Sequence, residues 1–110
     1  MELAKIETFA KTQPADTAAM DIAVAECLAA AADGDENAYF DLGVIYSTGS
    51  HGATCDFVEA HKWFNLAASR GHEEAAWCRA DISDEMTARE IAEAQRRARE
   101  WLSAGSRRAA

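Results

Sequence analysis

The feature that most constrains the fold of this chain is internal repetition at two fixed intervals. Gly34 and Gly71 are each preceded by an alanine pair and followed by an alanine in the same register, at a shift of 37 residues. The stretch from Glu90 to Gly105 lies on the stretch from Asp56 to Gly71 at a shift of 34 residues. Repeats at intervals of about 20 to 50 residues are typical of solenoids and related arrays. The sequence therefore predicts three helix pairs built on one pattern.

The middle pair carries the clearest helical pattern. Its apolar positions recur at helical spacing: Ala38, Leu42, Ile45 and Tyr46 on the first helix, and Phe57, Ala60, Phe64, Ala67 and Ala68 on the second. Asp56 followed by Glu59 is a capping box, which predicts that the second helix begins near Phe57. Gly43 and the alanines at 60, 67 and 68 are small residues on faces expected to meet another helix. The pattern indicates two helices packed at close range.

This middle stretch resembles the Sel1-like repeat, a helix-loop-helix unit related to the tetratricopeptide repeat. The residues that carry the resemblance are Ala38, Leu42, Gly43, Tyr46, Gly49, Asp56, Glu59, Ala60, Trp63, Phe64, Ala67, Ala68, Gly71 and Ala75. The loop departs from the family pattern by one additional residue before Asp56 and by Ala53 in place of a valine. The resemblance implies an α-solenoid, a right-handed superhelical stack of hairpins, and a scaffold role. It implies no chemistry.

The two shifts predict the boundaries of a single all-α domain of three pairs. The pairs are expected at about 2–33, 36–70 and 73–104, with a frayed tail at 106–110. Helices are predicted at 2–11, 17–33, 36–48, 57–70, 73–83 and 88–104, with Pro14 in the first turn region between helices. Thr87 and Glu90 form a second capping box, and Gly34, Gly49, Gly71 and Gly105 are predicted helix stops. The 26 alanines and the single proline favour helices over strands.

Charge and cysteine usage narrow the class of protein. The formal net charge of −8 argues against nucleic acid as a partner. The charge is uneven: residues 12–61 hold nine carboxylates and no Lys or Arg, whereas residues 89–108 hold six arginines against three glutamates. The three cysteines form no spaced pair, which favours a reducing compartment. We find neither a signal peptide nor a membrane-spanning run, so the predicted location is cytoplasmic, without membrane insertion.

One stretch could carry chemistry. Cys55 lies just before a predicted helix N-terminus, and His51 and His61 are close in sequence, so a cysteine-dependent enzyme is the alternative hypothesis. Against it, the adjacent Asp56 carboxylate would oppose a thiolate. The spacing of Cys55 and these histidines with His72 matches no common zinc site. We therefore predict no catalytic residue, no metal and no cofactor.

The predicted binding surface is the concave groove formed by the first helices of successive pairs. One such face holds Phe40, Asp41 and Val44, and the 37-residue shift carries it onto a second with Glu74, Trp77 and Asp81. Aromatic side chains surrounded by carboxylates are suited to a peptide with basic residues. The alternative is that Phe40 and Trp77 pack between repeats and belong to the core.

The basic C-terminal helix is a second candidate contact surface, through Arg96 and Arg99. Its interleaved glutamates favour a solvated face over nucleic-acid binding. The favoured prediction is a non-catalytic protein–protein interaction adaptor or an accessory subunit of a larger complex. Its partner would be another protein, contacted through the groove or through the basic helix. Limited capping of both ends also favours docking onto an assembly or self-association.

Overall fold

The computed structural model of this protein describes residues 12–109, with side chains for residues 22–105. Over those residues the chain is all-helical and contains no strand, which confirms the predicted all-α class. The helices are α1 (Thr12–Ala32), α2 (Glu36–Thr48), α3 (Phe57–Ser69), α4 (Glu73–Ser83) and α5 (Ala88–Ala109). The helix predicted at 2–11 lies outside the described residues.

Helix α3 is the centre of the packing. It contacts α2, α4 and α5, while α1 packs on α2 and α5 approaches α4 much less closely. The largest fully buried side chains are Trp63, Phe64 and Leu66 of α3 and Leu42 of α2. Trp63, which lies outside the apolar face that the spacing predicts for α3, is 2% exposed. Helix α3 is therefore buried over a wider part of its surface than its apolar stripe alone predicts.

The start of α3 follows the sequence prediction. The Asp56 carboxylate accepts hydrogen bonds from the backbone N–H groups of Val58 (3.1 Å) and Glu59 (3.2 Å), so the helix begins at Phe57. The box is not reciprocal, because the Asp56 N–H donates to the Tyr46 carbonyl at 2.8 Å. That bond ties the loop to the end of α2 and leaves the Glu59 carboxylate free for a different contact.

The starts of α2, α4 and α5 are also capped by side chains. Thr87 and Glu90 form the predicted reciprocal box, with bonds of 2.9 and 3.1 Å. Asp35 accepts from the backbone N–H of Asn37, and His72 Nδ1 accepts from that of Ala75 at 3.1 Å. The histidine cap was not predicted from the sequence, since His is not a preferred residue there. Each cap satisfies an N–H group that has no acceptor within its own helix.

Two predicted boundaries are wrong. Pro14 lies inside the first turn of α1, which begins at Thr12 rather than at residue 17. The first turn tolerates proline because its N–H groups lack acceptors within the helix. At the other end, α5 continues through Gly105 to Ala109, so this glycine is not a stop and the backbone of 106–109 is helical. The predicted stops at Gly34, Gly49 and Gly71 are confirmed, with φ of 86°, 71° and 98°.

Close packing of α2 on α3 depends on Gly43. A Cβ atom added there would lie 2.5 Å from two ring atoms of Phe64, so no side chain fits. On the facing helix Ala60 and Ala67 are fully buried. This confirms the predicted close approach of the two helices through small residues. Phe40 lies one turn before Gly43, so the same close approach brings its ring against that of Phe64.

Candidate partner-binding groove

Two adjoining grooves lie on the face formed by α1, α2 and α4. The first, about 470 Å³, lies between α1 and α2. It is lined by Ala23, Glu26, Cys27, Phe40, Asp41, Val44, Ile45, Ser50 and His51. The second, about 290 Å³, lies between α2 and α4, with Phe64 of α3 at its base. It is lined by Phe40, Val44, Ser47, Thr48, Phe64, Glu74, Cys78, Asp81 and Ile82.

Phe40 and Val44 line both grooves, so they form a ridge that separates them. Both residues are half-buried. The Phe40 ring packs against Phe64 with centroids 5.8 Å apart and stacks on the His72 ring at 4.6 Å. Phe40 therefore takes part in the packing between α2, α3 and the start of α4, and it also lines the surface. The two roles that the sequence left open are combined in this side chain.

The grooves are acidic at their rims. Glu26 and Asp41 line the first groove, and Glu74 and Asp81 line the second. Among the described lining residues there is no Lys or Arg. The surface thus combines apolar floors with carboxylates on either side.

The acidic, partly buried environment of the grooves shifts the pKa of two cysteine thiols. Burial raises the pKa of Cys27, and the carboxylates of Asp41 and Glu26 raise it further. Burial likewise raises the pKa of Cys78, with added contributions from Glu74 and Asp81. Both effects disfavour a negative charge at the thiol. The same field would favour a positive charge brought in by a partner.

The predicted site residues are only partly brought together. Phe40, Asp41, Val44, Glu74 and Asp81 lie along the two grooves. Trp77 is 70% exposed and lines neither groove, although the repeat register matches it to the half-buried Phe40. Arg96 and Arg99, on α5, line neither groove. Glu26 and Ile82 also line the grooves, but the sequence analysis did not predict them. The sequence offered one indication for Glu26: it occupies the position that matches Trp63 at the 37-residue shift.

The arginines of α5 take part in a charged cluster with α3. Arg97 Nη1 donates to Glu59 at 2.7 Å and its Nε donates to Glu93 at 2.8 Å, which links the two helices. Hydrogen bonds from Arg96 and Arg97 lower the pKa of Glu93 to about 2. Arg96 also pairs with Glu100. Because these arginines are already paired with carboxylates, the surface beside them is not a ready site for an anionic ligand.

The same cluster contains an intramolecular cation–π contact. Lys62 Nζ lies 4.2 Å from the centroid of Trp63 and 5.5 Å from that of Trp101. It also lies 3.6 Å from the carboxylate of Glu59. The two indoles meet edge to face with centroids 4.9 Å apart. Trp63 and Trp101 therefore contribute to the packing of α3 on α5.

The residues of the enzyme hypothesis are not arranged as a nucleophile with a base. Cys55 is exposed, and its Sγ lies 3.4 Å from the carbonyl oxygen of Ser47. The cavity beside it, about 270 Å³, has no histidine among its described lining residues. His61 is 3% exposed on α3, whereas His51 is exposed in the loop. In the described part of the chain, no group of three or more His, Cys, Asp or Glu side chains could hold a metal ion.

Comparisons of this chain with protein families, with curated proteins and with solved structures found no match. Among the described residues, no helix is both long enough and apolar enough to cross a membrane.

Proposed function

We propose that this chain is a short α-solenoid of Sel1-like hairpins that acts as a non-catalytic adaptor or accessory subunit. The succession of capped helices and tight glycine turns supports this architecture. So does an elongated shape: the radius of gyration is 16.4 Å, against about 13 Å for a compact domain of about 100 residues. Stacked helical hairpins have such extended outlines and present a continuous concave surface.

The observation that carries the functional proposal is the chemistry of the paired grooves. Two apolar floors meet at the ridge of Phe40 and Val44. The described residues that line the grooves include Asp and Glu but no Lys or Arg. A basic peptide segment would bury apolar side chains on the floors and place its cations near the carboxylates. Such complementarity accelerates association and selects against acidic partners. The proposed partner is therefore a protein with a basic, partly apolar segment.

The test compares capture of that partner by matched charge variants. Glu74→Gln with Asp81→Asn removes two charges from the groove rim while keeping the shapes of the side chains. Glu100→Gln removes a charge from α5, away from both grooves, and serves as the control. We expect a basic protein to be captured from the native host by the original chain and by the control. The groove variant should capture roughly tenfold less, because two charge contacts are lost.

Equal capture by all the variants would contradict the groove proposal. Loss of capture in the Glu100→Gln control, with retention in the groove variant, would instead place the contact on α5. There Arg99 is exposed and Arg96 is about half exposed. Cytoplasmic location and the absence of nucleic-acid binding remain part of the proposal.

A further inference from the structure

Trp77 is the most exposed large apolar side chain of the described residues, at 70%. Residues three and four positions apart are neighbours on a helix surface. Trp77 therefore has Glu73 and Glu74 on the preceding turn and Asp81 on the following turn. All of these acids are exposed. At the neighbouring positions of α4 the indole therefore has three carboxylates, and Ala80 is the one apolar residue.

On α3 an indole and a carboxylate together already bind a lysine side chain of the same chain. On α3, Glu59 and Trp63 are four residues apart, and Lys62 Nζ lies 3.6 Å from the carboxylate and 4.2 Å from the ring centroid. On α4, Glu73 and Trp77 have the same spacing, but Ala76 stands where Lys62 stands. Among the described residues, the cation–π contacts of this chain are those of Lys62. No residue in the described part of the chain supplies such a cation to Trp77.

The position of Trp77 connects it with the groove. Glu74 and Asp81 line the α4 side of the second groove. Trp77 is three residues from one and four from the other, so it lies beside them on the outer side of the same helix. A peptide segment bound in the groove could place one side chain on the floor and the next across the rim onto the indole.

We propose that Trp77 and Glu73 form a clamp for an arginine side chain of the partner protein. This inference rests on the proposed function of the groove and specifies the chemistry of its partner. A guanidinium is flat, stacks on an indole face and can donate to a carboxylate at the same time. Glu74 and Asp81 surround the bound cation and disfavour an acidic residue at that place. The clamp would therefore fix the register of the basic segment along the groove.

The test uses two synthetic peptides and the full chain. Each peptide carries two leucines for the grooves with cationic residues on either side. In the second peptide every arginine is replaced by citrulline, which keeps the shape and removes the charge. Affinities are measured by calorimetry for the original chain, for Trp77→Leu, for Glu73→Gln, for the groove variant (Glu74→Gln with Asp81→Asn) and for the Glu100→Gln control. The Trp77 indole N–H signal is followed by NMR and assigned from its loss in Trp77→Leu.

We expect the arginine peptide to bind and to shift the Trp77 signal, with those of Trp63 and Trp101 unmoved. Trp77→Leu should weaken it roughly 3- to 30-fold, the range of a cation–π contact. Glu73→Gln should weaken it less, and the Glu100 control should not change it. The citrulline peptide should bind more weakly and show no effect of Trp77→Leu.

Two results would overturn the inference, and they have different meanings. If the arginine peptide binds and depends on Glu74 and Asp81 but not on Trp77 or Glu73, the clamp is wrong and the groove function stands. If neither peptide binds the original chain, the groove function and the clamp both fail. Circular dichroism of Trp77→Leu verifies that the variant remains helical, which is expected for a change at an exposed position.

Discussion

At the scale of single residues, Gly43 is the position where the structure leaves least space for a side chain. Glycine in a helix interior usually costs about 0.5–1 kcal/mol relative to alanine. Here the ring of Phe64 occupies the space that a Cβ would need, at 2.5 Å. The glycine is therefore retained for close packing and not for backbone flexibility, and the usual benefit of alanine should be reversed.

We predict that Gly43→Ala lowers the free energy of unfolding by about 1–3 kcal/mol, the range for overpacking a core. Gly105→Ala is the matched control, since it lies inside α5 and its Cβ would meet no atom within 4 Å. That variant should gain about 0.5–1 kcal/mol. Urea denaturation of both variants measures the difference. An unchanged or raised stability of Gly43→Ala would show that α2 and α3 are too far apart for a Cβ at residue 43 to clash with Phe64.

His61 is a second residue with a measurable consequence. It is 3% exposed, and its Nδ1 has no hydrogen-bond partner among the described residues. Burial lowers its pKa from 6.5, and the nearby Arg79 guanidinium lowers it further. The folded state therefore holds this histidine neutral in a pH range where the unfolded chain protonates it. Stability from this group is complete above pH 6.5 and is lost as pH falls toward the folded-state pKa.

We expect the free energy of unfolding to decrease between pH 7 and pH 5, by no more than about 1.4 kcal/mol per pH unit for one proton. His61→Leu should flatten this part of the profile. Glu93 acts in a separate range, because its pKa falls from 4.5 to about 2 and its contribution is lost below pH 4.5. An original chain with constant stability from pH 7 to pH 5 would contradict the buried neutral state of His61.

Cys55 tests the enzyme alternative at the same scale. The thiol is exposed, and the described residues that line the cavity beside it include no histidine. We predict that the rate at which iodoacetamide alkylates Cys55 at neutral pH, followed by mass spectrometry of the peptide that contains it, rises linearly with reagent concentration. Fast labelling that saturates would indicate an activated nucleophile with a binding pocket, and would favour the enzyme hypothesis.

At the scale of helices, local signals in the sequence predicted most starts and stops. Asp56, Thr87 and the glycines at 34, 49 and 71 act through neighbouring backbone groups, so their effect can be read from a short window. Pro14 and Gly105 were misread because each is tolerated within a helix. Proline fits the first turn, and an interior glycine costs only about 1 kcal/mol. Neither residue alone determines where a helix ends.

The link between α3 and α5 is the tertiary contact that those local signals did not predict. The sequence placed Glu59 in a capping box, but its carboxylate accepts from Arg97 at 2.7 Å instead. Both side chains are partly exposed, so solvent screens the pair. A double-mutant cycle with Glu59→Gln and Arg97→Met isolates their coupling.

We predict a coupling of about 0.3–1 kcal/mol, the range of partly exposed ion pairs. It should shrink when salt is raised to about 1 M, because screening is stronger there. Arg96→Met is the control, since the ion pairs of Arg96 with described residues lie within α5, and it should show no coupling to Glu59. Zero coupling for Arg97 would mean that this ion pair does not help to hold α5 on α3.

At the scale of the whole molecule, the repeat register predicted part of the groove and missed part of it. Adding 37 residues to the α2 face leads to Glu74 and Asp81, which line the second groove. It also equated Phe40 with Trp77, and these two differ in exposure. The reason is tertiary: the ring of Phe40 is covered by Phe64 and by His72, at the start of the next helix. A repeat pattern records spacing but not which neighbour covers each position.

Covalent photocrosslinking tests the central claim most directly, because it reports which surface touches the partner in the native host. A benzophenone amino acid is introduced at Thr48, an exposed residue of the second groove, and separately at Gln95, an exposed residue of α5. The account predicts an adduct with a basic protein from Thr48, lost when Glu74→Gln and Asp81→Asn are added, and none from Gln95. An adduct from Gln95 with none from Thr48 would contradict it.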